Sequence, residues 1–163
     1  MDNKLKDQLK KDFPAFFPSI SNCDFSCQDG WYDIIRYAAE QYLALSEKYH
    51  ITIYAAQVKE KFGRLVVYVN NGPGSAWDTC WEEAQAIYGE VERRSTESCE
   101  FCGDTNKEGA ECETKESRGG YWVRTLCLSC RVVDEVHQKD FEQARAKVEH
   151  FQRELEEKDE KSD

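Results

Sequence analysis

The stretch Ile51-Thr52-Ile53-Tyr54-Ala55-Ala56-Gln57-Val58-Lys59-Glu60-Lys61-Phe62-Gly63-Arg64-Leu65-Val66-Val67-Tyr68-Val69 decides the architecture. Residues 51–58 are β-branched and aromatic enough for a strand, and 64–69 make a stronger one. Lys61-Phe62-Gly63 between them reads as a hairpin turn, because Gly63 tolerates positive φ. Upstream, Trp31, Ile34, Ile35, Ala38, Tyr42, Leu45 and Tyr49 recur at spacings of three and four, which predicts an amphipathic helix at about 31–48. Downstream, Asn70-Asn71-Gly72-Pro73-Gly74-Ser75 is loop, with Ser75 placed to cap a second helix over 76–96. That helix carries Trp77, Cys80, Trp81, Ala84, Ile87, Tyr88 and Val91 on one face. Two helices on one side of a hairpin make an α+β core.

Residues 3–11 have helical composition and are closed by Phe13-Pro14, after which Phe16, Phe17 and Ile20 form an apolar arm expected to lie across the core. From 97 to 131 the apolar periodicity stops, and only Tyr121-Trp122-Val123-Arg124-Thr125-Leu126 has strand character. Residues 132–157 turn helical again, with Val133, Val136, Phe141, Ala144, Val148, Phe151 and Leu155 on a narrow stripe before a charged tail. The predicted organisation is therefore an α+β core over 1–96, an inserted zinc ribbon over 97–131 and a long C-terminal helix with its tail over 132–163.

Lys and Arg total 22 against 32 Asp and Glu, a formal charge of -10 that repels nucleic acid and anionic membranes. Apolar residues make up 40 % of the chain and aromatics 12 %, enough to bury a core. No run is long enough to span a membrane, and Met1-Asp2-Asn3-Lys4-Leu5-Lys6 lacks the apolar core of a signal peptide, so a cytoplasmic protein is expected. In that compartment eight cysteines speak for metal rather than disulfides.

Cys99-Glu100-Phe101-Cys102-Gly103 and Cys127-Leu128-Ser129-Cys130 are two CxxC knuckles separated by 24 residues. Each knuckle brings two thiolates to one ion from a single tight loop, and two knuckles complete a tetrahedron around Zn(2+). With all four positions filled by protein, the ion supports folding and has no Lewis-acid role. A redox dithiol or a pair of disulfides is the rival reading, but the strand-helix context of redox CxxC motifs is missing. Cys23 and Cys27 could give two ligands to a second metal, Cys112 could substitute in a shifted ribbon register, and buried free thiols are the plainer reading.

Cys27-Gln28-Asp29-Gly30-Trp31, Gln57-Val58-Lys59-Glu60-Lys61-Phe62-Gly63-Arg64-Leu65, Ser98-Cys99-Glu100-Phe101-Cys102-Gly103 and Gly120-Tyr121-Trp122-Val123-Arg124-Thr125-Leu126-Cys127 follow one another in an order that resembles a family of small uncharacterised proteins of bacteriophages and prophage-rich bacterial genomes. The resemblance covers about 27–131. It implies phage origin and a structural zinc, and carries no activity or partner with it.

Gln57, Lys59, Lys61 and Arg64 straddle the hairpin turn, with the first three on one strand face by alternation, where they could hold a phosphate or a partner's carboxylate. A solvated hairpin face is the plainer reading of the same residues. Trp31, Trp77, Trp81 and Trp122 read mainly as core. The C-terminal stripe around Phe151 could form a homodimer seam, dock on a host protein or pack back on its own core. His50, His137 and His150 form no ligand pair, and no phosphate loop or nucleophile elbow is present, so the chain is expected to be non-catalytic. The leading expectation is a phage accessory protein that binds and inhibits or redirects a host protein of the defence or transcription machinery. A binder that sequesters a signalling nucleotide is the first alternative. A nucleic-acid-binding ribbon using Lys107, Lys115, Arg118, Arg124 and Arg131 is the second, against which the acidic charge weighs.

Overall fold

The computed structural model describes residues 1–72, 77–105, 123–134 and 143, and the backbone of 113–116. It is a mixed α+β fold. The chain divides into two compact units, Met1–Leu128 and Ser129–Asp163. In the first, α1 (Asn3–Asp12), β1 (Asp24–Ser26), α2 (Tyr32–Tyr49), β2 (Ile53–Lys61), β3 (Arg64–Asn71) and α3 (Trp77–Thr96) precede a small ladder of β4 (Glu113–Glu116) and β5 (Val123–Leu126). Residues 128–134 are helical. Val133, first residue of the expected C-terminal stripe, is exposed, whereas Val136, Phe141, Ala144, Val148, Phe151 and Leu155 lie outside the described residues.

The hairpin forms as the alternation predicts, and each strand runs longer than its apolar signal. Lys61 pairs with Arg64, leaving a two-residue loop in which Phe62 (φ +52°) and Gly63 (φ +74°) are both left-handed. That is a type I′ turn, whose twist matches the strands. A register shift between Ala55 and Gln57 lets Ile53, Ala55 and Val58 all turn inward. Beyond it Gln57, Lys59 and Lys61 share the second face with their partners Tyr68, Val66 and Arg64, and of these Val66 is buried.

The expected hairpin is in fact one part of a three-stranded sheet, ordered β1-β2-β3, with β1 parallel to β2. β1 spans only Asp24, Phe25 and Ser26, too short to show a period, and Phe25 aligns with Val58 so that both face the core. α2 is the crossover between the parallel strands. It lays Ile34, Ile35, Ala38, Tyr42 and Leu45 on the sheet and ends on left-handed His50. α3 adds Cys80, Ala84 and Val91 to the same core. It also caps the free edge of β3, where Ser95 Oγ accepts the Leu65 N–H at 2.9 Å and Arg64 pairs with Glu92 at 2.5 Å. Those contacts close the edge at the start of β3.

α1 forms where residues 3–11 have helical composition and ends at Phe13 ahead of Pro14; the Asp2 carboxylate on Lys4 N–H starts it. Phe16 and Phe17 do lie in the core, and the Phe16 carbonyl accepts the Ala55 N–H at 2.7 Å, but Ile20 is 87 % exposed. Of the tryptophans read as core, Trp31 is fully buried and Trp77 packs at its margin. Trp81 is 50 % exposed, because the Cys80 and Ala84 side of α3 faces inward and position 81 falls beside it.

Candidate metal centre

α3 ends at Thr96, and the next residues form the first knuckle. Ser98 bridges Thr105, Cys99 N–H donates to the Asp104 carbonyl and Gly103 N–H returns to the Cys99 carbonyl, the last two at 2.8 Å. Gly103 sits at φ +77°, a conformation that suits glycine. Cys127 follows directly on β5, and Cys130 comes three residues later in the second knuckle.

The Sγ atoms of Cys99, Cys102, Cys127 and Cys130 lie within 4.8 Å of one another, and Cys102 Sγ is 3.7 Å from Cys127 Sγ. A zinc tetrathiolate with bonds of about 2.3 Å has tetrahedral edges of about 3.8 Å. No disulfide joins any two of the four, so the closeness is not that of a disulfide. The donor set therefore fits Zn(2+): soft sulfur donors, four in number, gathered within 4.8 Å of one another. Cys99 and Cys127 are buried, whereas Cys102 is exposed and Cys130 half-buried. The open side faces a cleft of about 360 Å³ lined by Asp29, Asp33, Arg94, Glu97 and Cys102.

The first knuckle is fastened to the start of α2. Gly30 N–H donates to the Glu100 carbonyl at 2.8 Å, and buried Trp31 Nε1–H donates to the Ser98 carbonyl at 3.1 Å. A Cβ on Gly30 would stand 2.2 Å from the Cys99 carbonyl oxygen and 2.4 Å from Gly103 N. Gly30 is a packing glycine for the knuckle, a role its place before a helix did not signal. Glu100 N–H donates to the Thr125 carbonyl at 2.8 Å, and the buried Thr125 hydroxyl donates to the Gly63 carbonyl at 2.7 Å. Three segments remote in sequence thus meet at one metal knuckle.

Glu100, an acid inside the first knuckle, is only 3 % exposed, and its Oε2 makes no hydrogen bond. Burial pushes its carboxyl up to about 7, and nearby Glu60 adds to the rise while Arg124 opposes it. Cys27 and Cys23 are also buried, and burial raises their thiols to about 12 and about 11. Neither joins a ligand cluster among the described residues. Cys80 is buried in the core as its helix face predicts.

The basic hairpin residues do not act as one set. Lys59 Nζ lies 5.1 Å over the Tyr68 ring, Lys61 Nζ 5.9 Å over the Phe62 ring, and Arg64 is engaged by Glu92. Gln57 is half-buried opposite Tyr68. Arg124 lies 5.5 Å over the Phe101 ring beside the knuckle. Phe151, Cys112, Trp122, Lys107, Arg118, His137 and His150 lie outside the described residues. No described helix is long and apolar enough to cross a membrane.

No protein-family model matches the chain, and neither a curated protein nor a solved structure matches it significantly. The likeness to phage-borne proteins therefore rests on motif order, and the metal centre on its own geometry.

Proposed function

We propose that this chain is a non-catalytic, zinc-stabilised binding protein of phage or prophage origin. It acts in the host cytoplasm by docking on, and inhibiting or redirecting, a host protein of the defence or transcription machinery. The observation that carries the reading is the filled donor set: four cysteine sulfurs clustered within 4.8 Å would leave a zinc ion no position for water or substrate. Such an ion holds a surface in shape, and the knuckle's bonds to Gly30, Trp31 and Thr125 are those of a scaffold. Motif order supports the phage origin, and small size with an acidic surface suits a protein that competes for a host target.

The test joins metal analysis of the purified protein to a pull-down from bacterial lysate with the tagged, zinc-loaded chain. Stoichiometric zinc and one dominant host protein are expected. Zinc without any retained protein would move the weight to a nucleotide binder using Lys59 and Lys61 beside exposed Phe62 and Tyr68. A thermal-shift panel reads that alternative, since a nucleotide at a hundred times its Kd stabilises by roughly 2.7 kcal/mol. Sedimentation of wild type against Phe151→Glu reads the homodimer that the C-terminal stripe suggests.

A further inference from the structure

The turn between β2 and β3 is held from three sides. Gly63 N–H donates to the Glu60 carboxylate at 2.7 Å, Gly63 C=O accepts the Thr125 hydroxyl at 2.7 Å, and Leu65 N–H donates to Ser95 Oγ at 2.9 Å. The clamps come from β2, β5 and α3. What they immobilise is an outlier, for Phe62 stands at φ +52° with 66 % of its surface exposed. A left-handed conformation is unfavourable for an ordinary L-residue, and Asn or Gly is the usual occupant of this turn position. Two thirds of the side chain stays in solvent, and the flexible Lys61 ammonium lies 5.9 Å from the ring centroid.

Lys61 and Arg64 flank the turn, with the Glu60 carboxylate bonded inside it and Glu92 paired to Arg64, and Lys59 and Tyr68 lie further along the hairpin. Lys59, Lys61 and exposed Tyr68 share the second sheet face, and neither lysine has a carboxylate partner among the described residues. Asp24, on β1, is the one acid among the sheet residues of that face. In a chain with net charge -10 that face is a local reversal of sign.

We infer that Phe62 at the hairpin tip is the anchor by which the chain docks on a protein whose surface offers an apolar pocket rimmed by carboxylates. The inference rests on the partner-binding reading above and gives it a location. A pre-clamped turn presents its anchor with little ordering entropy left to lose. An aromatic side chain seated in a desolvated pocket is the typical centre of an interface, and flanking lysines steer the encounter and match an acidic rim. Two lysines on an acidic protein cannot track a phosphate backbone, and Tyr68 is already covered by Lys59, so single-stranded nucleic acid fits less well.

The experiment uses the zinc-loaded full chain with p-benzoylphenylalanine incorporated at position 62 and, as control, at the 87 % exposed position 20. Irradiation in bacterial lysate should give a protein adduct from position 62 alone, with Asp or Glu flanking the attached residue. The host protein retained in the pull-down is then titrated with wild type, Phe62→Asn and Lys61→Glu. Asn keeps the turn, so an unchanged or higher Tm with affinity weakened roughly tenfold or more is expected. Lys61→Glu should slow association and flatten its salt dependence. Equal affinity for Phe62→Asn, equal adducts at both positions or an adduct to nucleic acid would overturn the location and leave partner binding standing. No retained host protein would overturn both.

Discussion

Gly30 shows how much one hydrogen atom can decide. Its Cα faces three backbone atoms of the knuckle, the closest 2.2 Å from where a Cβ would be, and backbone cannot swing aside as a side chain can. Gly30→Ala is expected to cost about 3 kcal/mol or more, read as a fall in Tm with weaker zinc retention. The buried thiols make a second prediction at this scale. From an ordinary value of 9.0, Cys27 is raised to about 12 and Cys23 to about 11 by burial. Between pH 9 and those values the unfolded chain ionises both thiols while the folded chain keeps them protonated. The folded state then binds more protons, so this contribution to stability is intact below about pH 9 and is lost as pH rises through the folded values. Denaturant melts at pH 8, 9 and 10 should show a decline that Cys23→Ala/Cys27→Ala removes, whatever that variant loses in baseline stability. A decline of equal steepness in the variant would assign it to other groups.

At the level of elements, the joint between β5 and the hairpin turn is the sharpest test of how the metal module supports the sheet. Thr125→Val keeps the shape and removes the hydroxyl, leaving the Gly63 carbonyl without its 2.7 Å donor in a buried place. A loss of about 1–3 kcal/mol is expected, with faster hydrogen exchange at Gly63 and Leu65 while α1 amides stay unchanged. This joint also marks where sequence stopped informing. α2, α3, β2 and β3 carry eight or more residues each, enough for a period of 3.6 or 2 to show. β1 has three residues and is recruited by a parallel partner across α2, and β4 reads Glu-Thr-Lys-Glu, with no apolar residue to mark it. The four-cysteine cluster was legible because CxxC is a local pattern. Gly30, Trp31 and Glu100 are separated from their partners by tens of residues, so their roles exist only in the fold.

For the molecule as a whole, the question is what zinc removal does. A ribbon built as a separate module would melt alone, the outcome its sparse apolar content suggests. Yet the first knuckle and β5 belong to the same compact unit as the core, and buried hydrogen bonds tie them to Trp31 at the head of α2 and to Gly63 in the hairpin. Zinc binding worth roughly 10–16 kcal/mol in zinc-finger peptides is then shared with the sheet and helices it is bonded to. Cys102, the exposed ligand at the lip of the acidic cleft, gives a chelator its way in. Chelation at neutral pH should lower the Tm of the entire unit and accelerate exchange in α2 and β3 together with residues 98–105. Restoring zinc should reverse both changes. Loss of protection confined to 98–105 and 123–127, with α2 and β3 amides untouched, would show that the knuckle is a passenger on a core that stands without it.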